Sequence, residues 1–386
     1  MENTFEVLKS MCDTLRENRY KEIQYIPARQ SFFGLFKEFE NLQNLFTKKK
    51  HLLFYYSIVP SFYLNRVSAN YPNLKVLYKI CYLNQEIERN IIIGIFGAAW
   101  YNLAMEANLV LERNGFCQLQ YSILPVYDYF IVRDSHNSYK YRELYEIELN
   151  NRVWVGSDSI KFVELNQKYL KNYNFKSTLE LGSGTGIQLI CLSNLSERMT
   201  GIDINPRAVE FTKTSTKLNN LENRIEVLFS DLFEKLNDKY DAIIANPWFI
   251  DIEKGGLEEI PDIVNKLDNY LLQNGVFVMF FSSYVKGNND LAKKLLIEFA
   301  QEKGYEATFY GLGKTIEPQY LDRYKKLNIS HINNYYAILN KTGEHKVTIH
   351  TPSVFRQIRD LIYLPLQAIT KNPKYFFNFI SRFKNI

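Results

Sequence analysis

Cysteine is scarce in this chain: four in 386 residues, Cys12, Cys81, Cys117 and Cys191, with no CxxC pair. That spacing argues against a zinc site and against a disulfide framework, and reads as free thiols in a reducing, cytoplasmic setting. Histidine is also thin. His51, His136, His331, His345 and His350 form no motif, so no metal is expected. His331, in NISHINNYY, is weighed as structural ahead of functional. The N-terminus lacks the apolar core of a signal peptide. The most apolar N-terminal stretch, NIIIGIFGAAWYNLAMEANLVLE, is interrupted by Asn and Glu, so it reads as a buried helix and not as a transmembrane segment. No repeat or low-complexity segment stands out.

An excess of charge of one sign is missing from the body. Residues 1–150 carry 17 basic and 16 acidic groups, the middle 190 carry 22 and 24, and residues 341–386 carry 8 and 2. A near-neutral body argues against a broad nucleic-acid surface. What the chain does have is ordinary globular composition, 46% hydrophobic and 23% charged, with a high aromatic share of 15%. At this length two or more domains are expected.

Hydrophobic periodicity divides the chain. Residues 1–115 read as a helical domain: Leu8, Met11, Cys12 and Leu15 recur at helical spacing, as do Leu103, Ala104, Ala107, Leu109 and Leu111. Asn114-Gly115 reads as the left-handed stop of that last helix. Residues 116–156 are rich in Tyr, Ile and Val and predict a β-rich bridge of two to four short strands. From residue 175 strands alternate with helices: STLEL, MTGIDI, RIEVLFS, YDAIIAN and VFVMFF, then YEATFYGLG and INNYYAILNK as closing strands. GLEEIPDIVNKLDNYLLQNG reads as a helix with an Asn-Gly stop. Such alternation predicts an α/β fold with a mostly parallel sheet over 157–341. The tail, 342–386, is basic and aromatic, and reads as a packed helix or a peripheral membrane or partner contact.

The chemistry-bearing pattern begins at LELGSGTGIQL, with Glu180 followed by Gly182, Gly184 and Gly186. Glycines permit a tight turn and close approach of the backbone to a ligand, ahead of helix N-terminal amides. The GxGxG spacing differs from the GxGxxG of dinucleotide folds. Asp203 ends the second strand, where a carboxylate can accept both hydroxyls of a ribose. Asn205-Pro206 suits a helix start. Asp231 follows the third strand, and reads equally as an adenine contact or a loop carboxylate. After the fourth strand comes ANPWF, residues 245–249.

These residues resemble a class I S-adenosylmethionine-dependent methyltransferase, most of all the glutamine N5-methyltransferases of release factors. ELGSGTG is similar to that family's first motif, and NPWF to its Asn-Pro-Pro-Tyr/Phe motif. The resemblance covers 155–285 well and 286–340 loosely. It implies a Rossmann-like seven-stranded sheet and S-adenosyl-L-methionine as cofactor. It also implies a cofactor site of Glu180, Gly182, Ser183, Gly184, Gly186, Asp203, Ile204, Asp231, Leu232 and Asn246. The side-chain oxygen of Asn246 and the carbonyl of Pro247 would accept the two N–H bonds of a planar nitrogen, with Trp248 and Phe249 against the substrate.

Two departures stand out. Trp248 occupies the second motif proline, which puts the substrate type in question. Gly156-Ser157-Asp158-Ser159 stands where release-factor enzymes carry Pro-Arg-Pro-Asp-Thr, and reads as a lid or as a helix cap. The expected reaction is N-methylation of an amide or amine in a protein or small molecule. The alternatives are methylation of a nucleobase, and a non-catalytic cofactor-binding or scaffold protein.

Overall fold

The computed structural model describes residues 2–23, 71–82, 84–134, 153, 155–247, 259–315 and 321–351. In chain order the first elements are α1 (Glu2–Glu17), β1 (Ile87–Glu88), α2 (Arg89–Phe96), α3 (Ala98–Glu106), β2 (Val110–Arg113), β3 (Phe116–Leu119), β4 (Tyr121–Val126) and β5 (Tyr129–Asp134). Next come α4 (Ser157–Tyr169), β6 (Phe175–Leu181), α5 (Ile187–Cys191), β7 (Ser196–Asp203), α6 (Pro206–Leu218), β8 (Ile225–Phe229) and β9 (Tyr240–Ala245). The last are α7 (Glu259–Tyr270), β10 (Leu271–Lys286), β11 (Asn289–Asp290), α8 (Leu291–Lys303), β12 (Glu306–Thr315), α9 (Leu321–Leu327), β13 (Ile329–Asn340) and β14 (Val347–His350). The seven strands expected from residue 175 onward are all present; β11 and β14 are additional, and β14 lies in the segment read as tail.

The chain folds as two compact units, the first comprising Met1–Gln30, Tyr55–Lys171 and Ser183–Ser230. In it, α1 buries Leu8, Met11, Cys12 and Leu15, the predicted stripe. The indole of Trp100 donates to the carbonyl of Val7 at 3.0 Å, joining α3 to α1. The expected continuous buried helix through residue 111 is not formed. Gly97, at φ 88° and ψ 153°, separates α2 from α3, and Ile91 and Leu103 are about half exposed. Helix α3 ends at Glu106, and Val110–Arg113 is a strand. Asn114 (φ 52°) and Gly115 (φ 77°) form the β2–β3 hairpin turn, not a helix stop. Two consecutive left-handed residues match the right-handed strand twist, which is why Asn-Gly serves hairpins as readily as helix ends.

Strands β4 and β5 form a second hairpin, turned at Tyr127-Asp128. The N–H of Phe130 donates to Asn219 Oδ1 at 3.0 Å, and Asn219 Nδ2 donates back to the Phe130 carbonyl at 2.8 Å. The N–H of Val132 donates to Ser215 Oγ at 3.0 Å. Among the described residues, the edge of β5 away from β4 is thus hydrogen-bonded by side chains of α6 and its C-terminus, which satisfy the N–H groups of Phe130 and Val132. Strands β7 and β8 run parallel, with Asp203 opposite Phe229.

The second unit comprises Ser31–Phe54, Asn172–Gly182 and Asp231–Ile386. Its strands lie in the order β6-β9-β10-β13-β12-β14, with β11 on β10. The pairs β6/β9 and β9/β10 are parallel, while β13 is antiparallel to both β10 and β12. Phe277, Val278 and Met279 are fully buried, as a strand covered on both faces requires. The helix expected to run to Asn274-Gly275 ends at Tyr270. Asn274, at φ 62°, lies in an irregularity of the β9–β10 register between Leu271 and Val276. All four cysteines are free and buried. No helix among the described residues is long and apolar enough to cross a membrane.

Candidate active site

The strand β6 ends at Leu181 and the chain turns through three left-handed glycines, Gly182 (φ 71°), Gly184 (φ 55°) and Gly186 (φ 76°). L-residues adopt that region only with strain, so this path needs glycine. The three positions are not equivalent. Among the described residues, a Cβ at Gly182 or Gly184 would meet nothing within 4 Å, so these leave space beside the turn. A Cβ at Gly186 would stand 2.7 Å from Thr212 Cγ2, which makes the third glycine a packing residue against α6. The helix that follows the loop is short: α5 has five residues, all buried. The cradle is therefore the turn itself, with Ser183 N–H donating to the Ile202 carbonyl and Gly186 N–H to the Ser183 carbonyl.

Asp203 closes β7. Its Oδ2 accepts the N–H of Gly184 at 2.8 Å and its Oδ1 accepts the N–H of Asn205 at 2.8 Å. Burial raises its pKa above the usual carboxylate value, with the two N–H bonds opposing that shift. An ionised carboxylate offers about four acceptor sites, so among the described residues' hydrogen bonds about two remain unused. Asn205 Oδ1 in turn accepts the N–H of Arg207 at 3.0 Å, the expected N-cap of α6, with Pro206 at its first position. Ile204 and Phe229 are 60% and 47% exposed, two apolar side chains beside the acid. Phe229 was not among the sequence candidates. Its place beside Asp203 is set by the β7–β8 register, a property of strand pairing.

The second unit holds Glu180, Gly182, Asp231, Leu232, Asn246 and Pro247. Glu180 pairs with Ile244 and Leu181 with Ala245, so Gly182 and Asn246 are each the first residue beyond neighbouring parallel strands. Glu180 is buried, Asn246 half-buried and Pro247 buried. Asp241 Oδ2 accepts the N–H groups of Lys176 and Ser177, at 3.1 and 2.9 Å, tying the opposite ends of β6 and β9. Asp231 is exposed; Leu232 is half-buried with a left-handed φ of 42°. Phe233 anchors that turn by stacking on Tyr270 with ring centroids 4.6 Å apart. Trp248 and Phe249 lie outside the described residues. At the 153–165 segment, Gly156 is the N-cap of α4 and Asp158 sits in its first turn, where a negative charge meets the helix dipole favourably.

His331 is buried on β13, with Nδ1 2.9 Å from Ser330 Oγ. Burial lowers its pKa to about 4, helped by the charge of Lys314 and opposed by Asp290 and Asn333. At neutral pH it is uncharged. Between the unfolded value of 6.5 and about 4 the unfolded chain binds more protons, so acidification favours unfolding. The melting temperature is expected to fall as pH drops through this window, and His331→Gln to flatten that slope in a pH series of thermal melts.

The Asp203-bonded glycine turn and, in the second unit, Asn-Pro directly after the strand beside β6 are each features that the sequence resemblance assigns to a class I methyltransferase. Comparison with known proteins agrees. A family model described as methyltransferase small domain matches residues 164–306. A provisionally named protein N5-glutamine methyltransferase of Methanocaldococcus jannaschii is 34% identical over 167 residues, 39% of this chain and 82% of that protein. The release factor glutamine methyltransferase of Aliivibrio fischeri is 29% identical over 194 residues, 43% of this chain and 64% of that protein. A ribosomal protein L11 methyltransferase of Lactobacillus johnsonii is 38% identical over 111 residues, 28% of this chain and only 32% of that protein. The chain belongs to the family of class I S-adenosylmethionine-dependent methyltransferases that these glutamine enzymes represent.

Proposed function

We propose that this protein transfers a methyl group from S-adenosylmethionine to the side-chain amide nitrogen of a glutamine in a protein substrate. The observation that carries the reading is Asn246-Pro247, placed one residue beyond β9 and beside the strand that leads into the glycine turn. The residues fit the donor: the turn leaves open space at Gly182 and Gly184, and Asp203 keeps acceptor capacity for a diol. Glu180, Gly182, Ser183, Gly184, Asp203 and Ile204 would hold it, with Asp231 and Leu232 at its base. When bound, S-adenosylmethionine supplies an electrophilic methyl group.

The rest of the work falls to the chain. An amide nitrogen is a poor nucleophile because its lone pair is delocalised into the carbonyl. The Asn246 side-chain oxygen and the Pro247 carbonyl accept its two N–H bonds, which fixes the nitrogen and favours a more pyramidal geometry. Positioning of this kind is the main source of rate in such a transfer. On the family resemblance, Trp248 and Phe249, which follow in sequence, would bind the planar acceptor. The relatives named above for glutamine and protein methylation favour a protein acceptor over a nucleobase.

The test is incubation of the purified full-length chain with methyl-labelled donor and a cell extract, then separation into protein, RNA and metabolites. Label is expected in protein, released as methylamine on acid hydrolysis of the substituted amide. Label confined to RNA would replace this reading with nucleobase methylation.

A further inference from the structure

One ion pair in the first unit belongs to none of the residues assigned above. Asp134, the last residue of β5, is 5% exposed. The guanidinium of Arg207 grips it as a fork: Nε lies 3.1 and 3.0 Å from the two carboxylate oxygens and Nη2 lies 2.5 Å from Oδ1. The guanidinium also lies over the ring of Phe211, 4.6 Å from its centroid, and 5.6 Å from that of Tyr121. The two rings meet edge to face at 5.3 Å. Tyr121 is the cross-strand partner of Asp134, so the hairpin supplies both the acid and one wall of the slot. Burial lowers the pKa of Arg207, but the Asp134 contacts outweigh it and hold the guanidinium charged.

The pair is connected at both ends. Asp134 Oδ2 also accepts the N–H of Val153 at 2.9 Å, and the N–H of Asp134 donates to the Val153 carbonyl at 2.8 Å. Val153 lies just before Gly156–Ser159, the segment read from sequence as a lid or as a helix cap. On the other side, the N–H of Arg207 caps onto Asn205, whose own N–H binds Asp203, whose second oxygen binds Gly184. Hydrogen bonds joined through the side chains of Arg207 and Asn205 therefore link the hairpin to the strand-end acid and the glycine turn. Simple docking of the hairpin does not need this charge pair, since Asn219 and Ser215 already hold it further along α6. A bidentate Arg–carboxylate pair adds orientation as well as affinity.

We infer that Asp134 is a positioning residue for the methyl donor: through Arg207 it sets the Asp203–Asn205 turn, so the β4–β5 hairpin governs donor affinity. The inference rests on reading Asp203 as the acid that binds the donor's ribose.

The experiment is calorimetric titration of S-adenosylmethionine into the full-length protein and into Asp134→Asn, Arg207→Gln and the double variant. Each single change is expected to weaken binding about tenfold, within the usual range of coupling between sites. The double is expected to weaken it no further, because both act through one pair. Turnover at saturating donor is expected to stay within about twofold. Arg207→Lys, which keeps the charge and the fold but loses the fork, is expected to fall between wild type and Arg207→Gln. Ser215→Ala, which removes a hairpin bond remote from Asp203, serves as the structural control: a lower melting temperature with unchanged donor affinity. Wild-type affinity in Asp134→Asn, additive losses in the double variant, or an equal affinity loss in Ser215→Ala would overturn the inference. Absence of binding by the unmodified protein would instead overturn the functional reading on which it rests.

Discussion

Asn246→Ala is expected to lower methyl transfer by about 10²–10³-fold at saturating substrates, while donor binding changes by no more than a few-fold. The estimate follows the cost of removing one preorganised polar group that acts on the reacting atoms. Asn246 follows directly on β9, whose residues Ala242–Ala245 are fully buried and paired on both sides. Its backbone is therefore held by the sheet, and the alanine variant loses the side-chain acceptor without loosening the strand. The measurement is a pair: single-turnover methylation of the acceptor, and calorimetry with the donor. Unchanged turnover in Asn246→Ala with intact donor binding would show that the chemistry has been assigned to the wrong residue.

Asp203→Ala is expected to weaken donor affinity by at least about a hundredfold. Two effects add. The variant removes acceptors for the donor's diol, and it orphans the N–H groups of Gly184 and Asn205 that now converge on the carboxylate. Hydrogen bonds to a charged group contribute about 1.5–3 kcal/mol each, and about 1.4 kcal/mol is a factor of ten. Loss of two such bonds gives roughly 10²–10⁴-fold. Asp203→Asn separates charge from shape, because the N–H groups of Gly184 and Asn205 approach different oxygens and one of these becomes an NH₂ group that cannot accept. It is expected to fall between wild type and Asp203→Ala. Since burial raises the pKa of Asp203, donor affinity is also expected to fall on acidification earlier than an ordinary aspartate would dictate.

Much of the architecture was legible in local sequence. The strands from STLEL to INNYYAILNK lie where their apolar runs predict, and α6 starts at the Asn205-Pro206 signal. The errors share a cause. Asn114-Gly115 and Asn274-Gly275 were both read as helix stops, yet the first turns a hairpin and the second lies within a strand irregularity. Asn and Gly signal a left-handed residue, and that conformation ends helices, turns hairpins and forms bulges alike. Which one occurs depends on what the next apolar segment pairs with. In the stretch from Leu103 to Leu111 the helical period and a short strand were likewise indistinguishable by pattern.

By itself the sequence determined the alternation of strands and helices, the three-glycine turn, the acids at successive strand ends and Asn-Pro at the fourth. Each of these is local: a period, a permitted φ or a residue type at a strand terminus. The tertiary structure alone decided which glycine faces open space and which packs on Thr212, that Phe229 stands exposed opposite Asp203, and that His331 is buried and neutral. It alone brought Asp134 to Arg207 across 73 positions of sequence. Burial, strand register and ion pairing are properties of the partner met in space. No residue carries them in its own local pattern.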